Sequence, residues 1–202
     1  MNQIIKNTII LFVITLVAGI CLGTVHDITL DPIAQAQEAA ATKTYQEVYP
    51  DAASFDEPQE LADAVTAAAD SIFEWGFGKV TINDAKEALD ASGNQIGYLI
   101  TSTSAESYGG NVQIAVGITN EGELTGIGFL SISDTPGLGM RAKEPDFKDQ
   151  FIGKKAENLE VTKTGASADN QIEAISGATI TSKAVTNATD AAIYFVANCL
   201  AQ

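Results

Sequence analysis

Ser176-Gly177-Ala178-Thr179-Ile180-Thr181-Ser182 is a run of small and hydroxylated residues set directly before a stretch of helical periodicity, with no acid, base or cysteine inside it. The chemistry open to such a run is the holding of an anion. Gly177 and Ala178 let a ligand come close to the backbone, and a helix start offers free N–H groups and the positive end of its dipole. The hydroxyls of Ser176, Thr179, Thr181 and Ser182 add donors that suit phosphate oxygens. The same residues also make ordinary helix caps and turns, so local pattern leaves both readings open.

Two more glycine-rich segments bear on that choice. Tyr108-Gly109-Gly110 stands at the entry of one strand pattern, and Asp134-Thr135-Pro136-Gly137-Leu138-Gly139 follows the exit of the next. Each is simplest as a turn. Because the two strands read as hairpin partners, both segments fall at one end of a sheet, where their backbone and Leu138 can face a flat ligand. Phe73, Trp75 and Phe77, spaced by two, are expected as core positions of a strand. The acidic residues are scattered as a solvated surface, and no catalytic residue is expected.

Composition removes several classes. The chain has 26 acidic and 11 basic residues in 202, a formal charge of -15, which repels phosphate backbones and argues against nucleic acid as a partner. His26 is the only histidine, so neither a histidine-based metal site nor a Ser/His/Asp triad can be assembled, and no metal is expected. Cys21 and Cys199 lie at opposite ends of the chain; no disulfide between them is expected.

The elements that must position these segments follow from periodicity. Val112, Ile114, Val116 and Ile118 alternate with small or polar residues as in a half-buried strand. Asn120-Glu121-Gly122 offers a hairpin turn into ELTGIGFLSIS, and NQIGYLITSTS supplies a strand upstream. Helical patterns cover residues 57–72 and 145–151. A last one carries Val185, Ala188, Ala192, Phe195 and Cys199 on one face. Strands grouped together with helices on either side predict an α+β fold built on an antiparallel sheet.

Ahead of all this, residues 7–25 carry no charge and as a helix would span ~28 Å, enough to cross a membrane once. Ala34-Gln35-Ala36 resembles a processing site but lies well past the apolar run, so an uncleaved anchor is expected. Lys6 precedes the span while Asp27 and Asp31 follow it, which predicts a cytoplasmic N-terminus and an exported remainder. The expected organisation is a cytoplasmic N-terminus and transmembrane helix over 1–27, a helical stalk over 28–49 with Pro32 in its first turn, and an extracytoplasmic domain over 50–202.

In this order and spacing, one N-terminal anchor, YGG, DTPGLG and SGATITS resemble the RnfG family, the membrane-anchored flavin subunits of the Rnf ion-translocating electron transport complex. More distantly they resemble the corresponding NqrC subunits of the sodium-translocating NADH:quinone reductase. The resemblance implies an electron-transfer subunit, without a catalytic site of its own, in a membrane-bound complex that couples electron flow between ferredoxin and NAD to Na+ or H+ movement. It implies FMN joined by a phosphoester to Thr179, with the residues of the three segments around it and Asp134 in a supporting role. It also implies a flavin transferase that uses FAD and recognises an acid three residues before the Ser of the motif. Glu173 holds that place here, where the family usually has Asp. The implied partners are the other membrane subunits of the complex and, during maturation, the transferase. The rival readings are the quinone reductase subunit and an anchored anion-binding module without redox chemistry.

Overall fold

One helix, α1, runs without interruption over Gln3–Val48. Its N-terminal half exposes a continuous set of large apolar side chains from Ile4 to Val25, and it is the one described helix long and apolar enough to cross a membrane. The threonines in it are answered locally: the hydroxyls of Thr8, Thr15 and Thr24 donate to carbonyls one turn back at 2.9, 3.0 and 2.6 Å. No hydroxyl proton is left facing an apolar medium there. The expected fresh start at Pro32 is corrected, since Pro32 lies inside α1. Its ring removes one backbone hydrogen bond, and the helix formers on both sides carry the helix through.

The computed structural model describes residues 2–69, 71–155 and 158–200 and divides into two compact units, Met1–Thr42 and Lys43–Gln202. The second unit holds a five-stranded antiparallel sheet in sequence order: β1 (Ser54–Asp56), β2 (Val80–Leu89), β3 (Gln95–Ser107), β4 (Gly110–Thr119) and β5 (Leu124–Ile132). Helix α2 (Gln59–Ala68) lies between β1 and β2. After β5 come a 3-10 turn, Gly139–Lys143, the short α3 (Pro145–Lys148) and a second 3-10 turn, Asp149–Phe151. The parallel pair β6 (Glu160–Thr162) and β7 (Gln171–Glu173) precedes α4 (Thr179–Phe195).

Alternation along the strands sorts their side chains onto two faces. Ile100, Val112, Ile114, Val116 and Ile118 are buried in one cluster with Ala184, Val185, Ala188, Ala192 and Phe195 of α4. Ser102 sits under the same helix and donates to the Ala188 carbonyl at 2.9 Å. On the opposite face Leu99 and Ala115 are covered by Val48 and Tyr45 at the end of α1, and Thr125 donates to the Val48 carbonyl at 2.7 Å. Both faces are therefore buried. That is why Ala115, between two alternating core residues, is buried as well.

Residues 72–75 form a 3-10 turn rather than a strand, which corrects the expected strand over the aromatic triplet. Trp75 and Phe77 pack on Tyr194 of α4, with ring centroids 4.8 and 5.9 Å away, while Phe73 is exposed. Cys199 lies half-buried against the core, and both cysteines are free.

Candidate functional site at the start of helix α4

The three glycine-rich segments meet at one carboxylate. β3 and β4 are joined by the two-residue turn Tyr108-Gly109, and Gly109 packs against Ser133 and Asp134 so closely that no side chain fits there. Asp134 Oδ2 accepts hydrogen bonds from Ser107 Oγ at 2.9 Å and from Thr181 Oγ1 at 2.6 Å. Its Oδ1 accepts the Thr135 N–H at 2.6 Å. Gly139 lies directly over the same carboxyl group and leaves it room by having no side chain. Desolvation works against the charged form, but the hydrogen bonds from Thr181, Thr135, Ser107 and Gly109 outweigh it and hold this carboxyl below the ordinary carboxylate range. A hairpin end, a loop and a helix start are thus held together by an anion.

The loop folds on itself around the Thr135 carbonyl, which accepts from the N–H of Leu138 at 3.1 Å and of Met140 at 3.3 Å. This turn leaves Thr135, Pro136, Gly137 and Leu138 exposed and tucks Gly139 inside. Leu138 reaches across to Gly177, whose left-handed backbone (φ 79°) suits glycine; a β-carbon there would lie 3.1 Å from the leucine methyl. Leu138, Ile180 and Tyr108, one from each of the three segments, are exposed apolar side chains, at 42%, 55% and 73% accessibility.

Helix α4 begins without a side-chain cap, its N-cap position being Ala178, a residue poorly suited to that place. The Ser182 N–H is the first to reach back, to the Ala178 carbonyl at 3.0 Å. The N–H groups of Thr179, Ile180 and Thr181 precede it and have no carbonyl within the helix to donate to. Thr179 is half-buried at the surface, and its hydroxyl makes no hydrogen bond to any described residue. Ser176 and Gly177 are exposed beside it, and Ala178 is buried.

Thr181 and Ser182 are placed differently from the expectation that they serve a ligand. Both are 0% exposed. Thr181 holds Asp134; the Ser182 hydroxyl accepts the Ile175 N–H at 3.0 Å and donates to the Ala178 carbonyl at 3.0 Å. On a helix buried nearly all round, these two positions face inward and their hydroxyls shape the turn.

Glu173, at the end of β7, stands apart from this cluster. Its side chain is exposed, and its backbone is held by Gln150. A cleft of about 270 Å³ is lined by Glu173 and Ser176 together with Arg141 and Glu144. Ser107, Gln150 and Ile180 were not singled out by sequence; Ser107 alone carried a local signal, a hydroxyl just before the YGG turn. Among the described residues no group of three His, Cys, Asp or Glu side chains is placed to hold a metal ion.

A buried acid lies two turns and more beyond this site. Asp190 of α4 is 2% exposed and accepts the Leu159 N–H at 2.8 Å. Burial pushes its carboxyl up to about 7, against a smaller opposing pull from that hydrogen bond.

A domain with this site, joined to a long apolar helix, matches two family models: the FMN-binding domain over residues 107–194 and the RnfG N-terminal region over residues 1–48. The G-subunit of the Na(+)-translocating ferredoxin:NAD(+) oxidoreductase complex of Acetobacterium woodii is 34% identical, covering 96% of this chain and 92% of that protein. The G-subunit of the proton-translocating ferredoxin:NAD(+) oxidoreductase complex of Clostridium ljungdahlii is 30% identical over 95% of this chain and 91% of its own length. Its counterpart in the ion-translocating oxidoreductase complex of Methanosarcina acetivorans is 28% identical over 96% and 95%. Among solved structures, the C-subunit of the Na(+)-translocating NADH-quinone reductase of Parabacteroides distasonis superposes with a TM-score of 0.44 at 19% identity, over 71% of this chain and 95% of that one. The chain belongs to the RnfG family, the G-subunits of ion-translocating ferredoxin:NAD(+) oxidoreductase complexes.

Proposed function

We propose that Thr179 carries FMN through a phosphoester bond. The chain is an electron-transfer flavoprotein subunit of an ion-translocating ferredoxin:NAD(+) oxidoreductase, with FMN as its cofactor. FMN, once held, takes up and releases electrons; all other tasks at the site fall to the protein. The observation that carries the attachment reading is the uncapped start of α4 with a free threonine hydroxyl upon it. Such a place lacks a partner for its N–H groups and fits a phosphate.

In maturation the Thr179 hydroxyl oxygen forms a bond to the flavin-side phosphorus of FAD. The pyrophosphate bond to the adenylate half breaks, AMP leaves, and the hydroxyl proton is given up. The N–H groups of Thr179, Ile180 and Thr181 would hold the phosphate, and Gly177 would leave the backbone open to it. Leu138, Ile180 and Tyr108 would supply apolar contact for the isoalloxazine ring and exclude water beside it. Thr135 to Gly139 present main-chain groups to the ring, a means by which a protein sets flavin electronics. Asp134 acts at one remove, fixing the segments that carry these residues.

Within the chain we assign residues 1–27 to a cytoplasmic end and membrane span, 28–49 to a stalk and 50–202 to an extracytoplasmic flavin domain. Lys6 before the span and Asp27 and Asp31 after it support that orientation. The other membrane subunits of the complex are its partners, since a single span without an internal charge offers no ion path. RnfG relatives spanning nearly the whole chain favour this reading over the quinone reductase subunit.

The test is intact mass and a visible spectrum of the full chain made in a host with a flavin transferase. The expected result is a gain of FMN less one water and a flavin absorption band, both lost in Thr179→Ala. A wild-type chain without the gain, or a Thr179→Ala chain that keeps it, overturns the assignment.

A further inference from the structure

We infer that Gln150 is a positioning residue for flavin attachment, acting through Glu173; this rests on the reading of Thr179 as the acceptor and of Glu173 as the acid that the flavin transferase recognises. β7 is paired on one side only, with β6, in the register Glu160↔Gln171, Val161↔Ile172 and Thr162↔Glu173. On its other side the backbone of Glu173 is met by a side chain instead of a strand. The Glu173 N–H donates to Gln150 Oε1 at 2.7 Å, and Gln150 Nε2 donates to the Glu173 carbonyl at 3.3 Å. The primary amide thus reproduces the donor and acceptor pair of a neighbouring peptide.

The amide is itself held. Nε2 also donates to the Asp146 carbonyl at 3.1 Å, and Gln150 belongs to the 3-10 turn whose Phe151 is fully buried in the core. From Glu173 the chain runs to Ile175, which is pinned by the Ser182 hydroxyl, and on to Thr179. Two side chains, those of Gln150 and Ser182, therefore fix the run that leads to the acceptor. What this fixing leaves free is the Glu173 carboxylate, which makes no hydrogen bond or ion pair to any described residue and stands in the wall of the cleft beside Ser176.

An unpaired carboxylate on a clamped backbone is a handle for an approaching enzyme. A transferase that docks on Glu173 finds it at a set distance from the Thr179 hydroxyl only while Gln150 holds the strand end. Glutamine is needed because one planar group must both donate and accept; glutamate keeps the acceptor half and puts a second negative charge beside Glu173.

The experiment measures attachment to the full chain by intact mass, with FAD and flavin transferase, as a function of chain concentration. Gln150→Leu is expected to raise the KM for the chain ~10-fold, the scale of one or two lost hydrogen bonds, with kcat little changed because α4 still holds Thr179. Gln150→Glu, which keeps the shape, is expected to fall between Gln150→Leu and wild type and serves if Gln150→Leu does not fold. Glu173→Gln raises the same KM, and the double variant Gln150→Leu/Glu173→Gln is expected to be no worse than the poorer single one.

Attachment to Gln150→Leu with the wild-type KM, or losses that multiply in the double variant, overturns the role of Gln150 alone. A wild-type chain that takes no flavin overturns the Thr179 reading, and this inference with it.

Discussion

Thr181 Oγ1 donates to Asp134 Oδ2 at 2.6 Å, joining two residues 47 positions apart in the chain. The bond ties the first turn of α4 to the loop after β5, and through the same oxygen to Ser107 at the end of β3. A charged acceptor with several donors is worth more than a neutral pair, and it tolerates partial burial because each donor offsets desolvation. The site is organised around this carboxylate rather than around any residue expected to touch the cofactor with its side chain.

Replacing Thr181 with Val keeps the volume and removes one donor from Asp134. The variant is expected to lose ~1–3 kcal/mol of stability, read by urea unfolding with Trp75, the chain's single tryptophan, as the fluorescent reporter. In the wild type the Asp134 carboxyl lies below its usual value of 3.8. Its stabilising contribution is therefore present above that value and is lost as pH falls through the folded-state one. Thr181→Val should weaken this acid sensitivity, and an unchanged acid limb would contradict the arrangement.

Asp190 has the opposite sign. Its folded-state value is raised to about 7, so its contribution to stability is most favourable below its unfolded value and is lost as pH rises through 7. Asp190→Asn keeps an acceptor for the Leu159 N–H and cannot ionise. Relative to wild type its stability is expected to rise by ~3 kcal/mol as pH goes from 5 to 7 and to change little beyond. Parallel stability curves for the two proteins over that range would show that Asp190 is charged without penalty.

Gly177→Ala places a methyl group in a left-handed backbone and 3.1 Å from Leu138. The strain is ~1 kcal/mol, and the methyl group occupies the approach to Thr179. Flavin attachment should slow several-fold at unchanged expression. Adding Leu138→Ala relieves the contact without relieving the backbone and should restore part of the rate. Full restoration would mean that φ at this position is of no account.

The parts legible in sequence are those set by short-range pattern. Val112, Ile114, Val116 and Ile118 alternate and are buried together; the α4 face from Val185 to Phe195 repeats at three and four and packs on them. Strand β2 escaped because its run VTINDAKEAL is rich in helix formers and its register slips between Ile82 and Asp84. Its extended form comes from pairing with β3. The three-residue strands β6 and β7 are too short to show a period. At the site, sequence names the hydroxyls of Thr181 and Ser182 but not their direction, which depends on how deeply α4 is buried. Gln150 meets Glu173 across 23 positions, a relation that no local pattern carries.

The bare start of α4 has a consequence for the cofactor. Three amides there have no carbonyl within the helix to hold, although Thr181 and Ser182 anchor the same turn through their side chains. A phosphate seated there would give those amides their acceptor, so that cofactor and helix start would complete one another.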